Sequence, residues 1–346
     1  GFIAPLLKEN GYRVIFVDSS NDMVEKINNQ KEYKVTSYDK ESTTDNLVEK
    51  IRALHTDEDQ LLKEILNKAS LVTTSVGPNN LPLIANLLDK HIHTKVDFIA
   101  FENMYRASTY VLEQKDSLHE KIQEHDVVVD KIIPLQKIEN LDLVVESFGS
   151  IVFDQGQYID KLIELSEVVS KGDYEKEFTK KLWLLNGLHV CLAYYGLSKG
   201  TEYIHELYEQ KEHEEFIKKI NSEYLKAYTL YSNQDIEEVL EYQNQINLRF
   251  SSKKSKDQNI RIARNPEIKF SKSERVHGPL KYLIKNGEEV SAMKEVLGII
   301  FNNEFKEVDG FIDFTKEHLS DGKENFYSNY WKEDKALDKF SSNLGK

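Results

Sequence analysis

The feature that most constrains this chain is an alternation, through its first half, of short apolar β-branched runs with helical segments. "YRVIFVDSS" reads as a strand from Arg13 to Val17 ending at Asp18. "YKVTSYD", "SLVTTSVG", "VDFIAFEN", "DVVVDKIIPL" and "LDLVVESFGS" read as further strands. "FIAPLLKENG", "NDMVEKINNQ", "DEDQLLKEILNKA" and "LPLIANLLDKHI" carry helical spacing among them. Apolar strands separated by helices predict a parallel sheet covered on both faces, a doubly wound α/β arrangement.

From about residue 171 the pattern becomes helical. "DYEKEFTKKLWLLNGLHVCLAYYG", "TEYIHELYEQKEHEEFIKKINSEYLKAY", "DIEEVLEYQNQINLRF", "VSAMKEVLGIIF" and "VDGFIDFTKEHLS" each suggest a helix. "SSKKSKDQNIRIAR", residues 251–264, reads as a polar, basic stretch between helices, and the last dozen residues read as solvated. The expected organisation is a Rossmann-like domain over residues 1–170 and a mostly α-helical domain over 171–346. At 346 residues the chain is long enough for both cores.

The bulk numbers exclude several function classes. A net charge of −13 disfavours nucleic acid or an anionic membrane as the main partner. It leaves an anionic small substrate open, since a site needs only local positive charge. No apolar run approaches the roughly 20 residues that span a bilayer. The one cysteine, Cys191, allows no disulfide within the chain and fits a reducing, cytoplasmic setting.

Ligands of doubly wound sheets bind outside the carboxyl ends of the strands. If one strand precedes residue 1, Asp18 ends the second strand, where an acid accepts hydrogen bonds from an adenosine ribose and favours NAD over NADP. The alternative for Asp18 is a turn or N-cap role before "SSNDMVEK". Gly77 in "TSVGPNN" is either a point of close backbone approach to a cofactor or part of an ordinary Gly-Pro turn. The glycine-rich loop expected between the first strand and first helix is absent, and Gly1 is a candidate for its tail.

In "KKLWLLNGLHV", residues 180–190, three polar side chains interrupt an apolar helix. On an ideal α-helix at about 100° per residue, Lys181, Asn186 and His189 fall within an arc of roughly 140°. A helix apolar nearly all round is buried, and buried polar groups need partners. Either a site or a satisfied internal network follows.

Three stretches in order carry a resemblance: "VDKIIPLQ" (129–136), "KKLWLLNGLHV" (180–190) and "RFSSKKSKDQNIRIARNPEIKF" (249–270). They resemble the polyol-specific long-chain dehydrogenases, and within them the mannitol 1-phosphate branch. That family has V-D-R-I-x-P, then K-x4-N-x2-H, then R-F-x-N and R-V-G-R-x-P. Asp130, Lys181, Asn186, His189, Arg249, Phe250, Arg261, Arg264 and Pro266 match those motifs. "TTSVGPNNLPLIA", "FENMYRAS" and "VVESF" also resemble family segments. Lys131, Ser252, Ala263 and Phe101 depart from the pattern. Family members begin with a strand and "FGAGNIGRG" before "FI", so the chain is expected to be a fragment lacking that strand and loop.

The resemblance implies metal-free, NAD-dependent interconversion of D-mannitol 1-phosphate and D-fructose 6-phosphate. Oxidising a secondary alcohol requires a base for the hydroxyl proton as hydride leaves the same carbon. A lysine in apolar surroundings has a depressed pKa, which suits Lys181 as general base. Asn186 would donate to the developing alkoxide, and His189 would bond the reactive hydroxyl or orient Lys181. Asp130 would bind substrate hydroxyls, or else form a structural ion pair. Asn103 would touch nicotinamide or substrate, cap the following helix, or do both. Arg249, Arg261, Arg264 and Lys269 would supply phosphate donors, or else a solvated basic surface. The lone cysteine and scattered histidines offer no zinc pattern. The alternatives are another polyol or hexonate dehydrogenase of the same superfamily, or a non-catalytic remnant.

Overall fold

The computed structural model describes residues 2–39, 42–133, 140–156, 168–320, 322, 326, 330 and 331. Two compact units divide the chain, Gly1–Phe178 and Thr179–Lys346.

In the first unit β1 (Ile15–Asp18) pairs in parallel with β4 (Arg52–His55), setting Asp18 opposite His55. Strands β5 (Leu71–Thr74), β6 (Val96–Ala100) and β7 (Ile122–Glu124) form a parallel ribbon in that order. Helices Leu81–His91 and Ala107–Glu113 cover it through Leu81, Ala85, Leu88, Val111 and Leu112 around Phe98. Helix Asn21–Gln30 buries Val24 and Ile27 against Ala53 of β4. Its start is fixed by Ser20, whose hydroxyl accepts the Met23 N–H at 3.3 Å.

The parallel expectation is corrected at two pairs. Strand β2 (Glu32–Tyr38) runs parallel to β9 (Leu143–Glu146) but antiparallel to β3 (Thr43–Glu49). The connection between β2 and β3 is too short for a crossover, so only a hairpin closes it. Strand β10 (Ser150–Asp154) pairs in parallel with β11 (Val169–Gly172) and antiparallel with β8 (Val127–Asp130). Such antiparallel additions are common on α/β sheets. Both β1 and β5 are edges of their described sheets and mostly half-buried, with Val17 38% exposed.

The second unit is helical. Its core is built around helix Leu188–Lys199, where Leu188 through Gly196 are buried except His189. The expected single helix at 201–228 is two, Ile204–Glu209 and Glu214–Ser232, separated by a 3-10 turn at Lys211–His213. His213 is buried at that turn, with Nδ1 3.3 Å from the Tyr195 hydroxyl, so the break serves packing. The basic stretch contains a short helix, Asn259–Ala263. The last dozen residues lie outside the described set. No helix among the described residues is long and apolar enough to cross a membrane.

Candidate active site

The segment carrying Lys181 and Asn186 is not an α-helix. Lys181–Gly187 is a π-helical turn that opens directly into helix Leu188–Lys199. In an α-helix, residues five apart lie about 140° apart. Widening the turn toward i→i+5 bonding rotates them toward one face, and such turns recur at functional sites. Lys181 and Asn186 are therefore closer in azimuth than ideal α spacing gives, and both are half-buried.

Glycine makes this turn packable. A Cβ on Gly187 would lie 2.4 Å from Tyr224 Cε1 and 2.6 Å from the Arg275 carbonyl oxygen. Tyr224 cannot simply swing aside: its hydroxyl donates to the Arg275 carbonyl at 2.9 Å and lies 3.3 Å from Cys191 Sγ. Cys191 is thus a buried core thiol, pushed up to about 12 chiefly by burial.

The basic segment docks on the same helix. A Cβ on Gly196 would meet Asn259 Nδ2 at 2.6 Å, and the Tyr194 hydroxyl donates to the Ala263 carbonyl at 2.9 Å. His189 stacks on Phe250 with centroids 4.6 Å apart and planes 20° apart. Its Nε2 lies 3.4 Å from Oδ2 of Asp257, whose Oδ1 receives Arg261 Nη2 at 2.8 Å. Burial raises the Asp257 carboxyl, but His189 and then Arg261 outweigh it, leaving it below the ordinary carboxylate value. Sequence reading passed over Asp257, which looked like part of a solvated stretch.

The cations gather unevenly. Lys269 donates to the carbonyls of Ile262 and Arg264, closing the end of helix Asn259–Ala263. Burial, followed by the fields of Arg275, Arg264 and Arg261, lowers its amine to about 7. Arg275, outside every motif noted above, joins the group with Nε 2.9 Å from Glu274. Arg264 is exposed, whereas Arg249 is half-buried in the last turn of helix Ile236–Phe250.

In the first unit, Asp18 ends β1 and its Oδ1 accepts the Ser20 N–H at 2.8 Å, so the turn role is realised. Gly77 has φ +88°, and a Cβ there would meet nothing within 4 Å, leaving its backbone open to close approach. Glu102, which sequence reading did not single out, holds this turn by accepting Val76 N–H at 2.6 Å and Gly77 N–H at 3.0 Å. Burial raises its carboxyl despite both donors. Asn103 is exposed, and Arg106 rather than Asn103 occupies the N-cap of helix Ala107–Glu113. Asp130 ends β8 opposite Ser150 and is 2% exposed. Gly1 and residues 134–136 of the "VDKIIPLQ" motif lie outside the described residues. Among the described residues one group brings three potential metal ligands within 4.8 Å, Glu267, Glu317 and His318, none of them a predicted site residue, although Glu267 shares the short helix Pro266–Lys269 with Lys269.

Residues 1–167 match the mannitol dehydrogenase Rossmann domain and residues 174–310 the mannitol dehydrogenase C-terminal domain. A mannitol-1-phosphate 5-dehydrogenase of Thermoanaerobacter pseudethanolicus is 32% identical over 307 residues, 83% of this chain and 78% of that protein. One from Clostridium acetobutylicum is 34% identical over 305 residues, covering 81% and 78%. In fold, the chain is similar to Pseudomonas fluorescens mannitol 2-dehydrogenase in ternary complex with NAD and D-mannitol, at a TM-score of 0.68, 14% identity and 97% and 84% coverage. A D-sorbitol dehydrogenase in substrate-free form gives 0.73 at 16% identity, covering 99% and 87%. With both domains matched in order and relatives above 30% identity over most of its length, the chain belongs to the mannitol dehydrogenase family.

Proposed function

We propose that this chain interconverts D-mannitol 1-phosphate and D-fructose 6-phosphate by NAD-dependent hydride transfer, with Lys181 as the general base in place of a metal. Family membership makes it a polyol oxidoreductase. The observation that supports the phosphate substrate most strongly is the Asp257 carboxylate joining His189 to Arg261. That link between His189 and Arg261 supports reading the polar face of the Lys181–Asn186–His189 helix and the neighbouring cations as one site. Lys269 is lowered first by burial and then by the fields of Arg275, Arg264 and Arg261, and the positive charge those three arginines bring to it suits a phosphate dianion.

Lys181 takes the hydroxyl proton in oxidation and returns it in reduction, Asn186 donates to the developing alkoxide, and His189 orients Lys181. Arg261, Arg264, Lys269 and Arg249 serve the phosphate end, and Asp130 and Asn103 the remaining hydroxyls. When bound, NAD supplies the hydride acceptor. Asp18 at the β1 end suits its ribose and the open backbone at Gly77 suits close approach. A lone, buried cysteine fits work in the cytoplasm.

The test is NADH oxidation with fructose 6-phosphate. Turnover with the phosphate ester and little with free fructose is expected. Turnover only with free fructose or a hexuronate would overturn the phosphate assignment.

A further inference from the structure

We propose that Asp257 is a positioning residue that holds the His189 imidazole as its Nε2–H tautomer and ties it to Arg261. The inference rests on the reading of the Lys181–His189 helix as catalytic. Asp257 is 1% exposed, and a carboxylate that deeply buried needs donors on both oxygens. Arg261 satisfies Oδ1 at 2.8 Å. Oδ2 and His189 Nε2 are both buried atoms lacking any other hydrogen-bond partner among the described residues, and they face each other at 3.4 Å. Closing that gap by about half an ångström gives a normal hydrogen bond, the tightening expected when a catalytic complex assembles.

Both ends of the contact are held. Phe250 stacks on the imidazole and fixes its plane. The Asp257 carbonyl accepts the Ile204 N–H at 3.0 Å and anchors the backbone. An ionised carboxylate accepts only, so the nitrogen facing it must carry the hydrogen. Nδ1 then keeps the lone pair and is the acceptor His189 offers to the Lys181 amine or to a substrate hydroxyl other than the one that reacts. Arg261 occupies the other oxygen, which leaves Asp257 one orientation in which to serve the histidine.

Asp257→Asn tests this with little change of shape. Arg261 only donates, so it claims the amide oxygen and turns the NH2 toward His189 Nε2. That nitrogen must then accept, and the ring proton moves to Nδ1. Two-bond 1H–15N spectra of histidine-labelled protein at pH 8.5 read the tautomer without any activity. Nε2–H is expected in the wild type and Nδ1–H in Asp257→Asn. Alongside, kcat for fructose 6-phosphate reduction should fall by about 10²-fold or more, as an inverted tautomer costs in other aspartate–histidine pairs, while the Kd for NADH stays within about twofold. A wild type in the Nδ1–H form, or a variant that keeps both tautomer and turnover, overturns the proposal. If Asp257→Asn does not fold, the wild-type spectrum decides alone. Spectra as expected from a protein that reduces no fructose 6-phosphate would support the positioning role and overturn the substrate reading only.

Discussion

Substituting Gly187 by alanine tests whether close packing holds the π turn. The new Cβ would sit 2.4 Å from Tyr224 Cε1 and 2.6 Å from the Arg275 carbonyl oxygen, and the second of these is backbone. Relief requires the Tyr224 ring to move, which breaks its hydroxyl's 2.9 Å bond to that carbonyl. Overpacking costs about 1–3 kcal/mol and the lost hydrogen bond about 1 kcal/mol. Alanine's better helix propensity returns up to about 1 kcal/mol, for a net loss of about 1–3 kcal/mol. Gly298 supplies the control: it lies inside helix Ser291–Asn302, and a Cβ there would meet nothing within 4 Å. Gly298→Ala should therefore gain about 0.5–1 kcal/mol. Urea denaturation of the two variants should separate them by about 2–4 kcal/mol, and a thermal melt of a domain this size by several degrees. Gly187→Ala should also lose turnover, because the turn that carries Lys181 and Asn186 is disturbed. Equal stability of the two variants would refute the packing argument.

Three further outcomes follow from the same contacts. Glu102→Gln replaces one of two acceptors at the Val76–Gly77 turn with a donor facing an N–H; NADH titration by fluorescence should show about tenfold weaker binding. Lys269, at about 7 in the fold and near its ordinary value when unfolded, binds fewer protons folded than unfolded between those values. Its contribution to stability thus rises with pH from about 7 to about 10, and Lys269→Met should remove that slope from urea midpoints measured at pH 7 and pH 9. Arg264→Ala should raise KM for fructose 6-phosphate about 10- to 100-fold while leaving any activity on free fructose unchanged in steady-state assays.

The strands and helices legible in the sequence were those whose burial writes a period. β1, β5 and β6 and the helices between them are apolar on the faces they bury. β3 could not be read that way, because six of its seven residues escape full burial and its pairing depends on a hairpin. The π turn was invisible for another reason: local periodicity assumes a fixed rotation per residue, whereas the extra width here accompanies a tyrosine and a carbonyl packed against Gly187. Lys181, Asn186 and His189 stood out because polar groups in an apolar helix are costly. Asp257, Glu102 and Arg275 did not, since charge in a polar stretch looks solvated until distant segments cover it. A signal existed for Asp257: it stands four residues before Arg261, the spacing of a helical ion pair.

Lys181→Ala most directly tests the central claim, that one lysine in the π turn moves the proton. Reduction of fructose 6-phosphate by NADH would be followed in a single turnover, with NADH affinity measured separately by fluorescence. The account predicts a loss of at least about 10²-fold in the chemical step with cofactor affinity largely unchanged. Turnover close to wild type in that variant would contradict it.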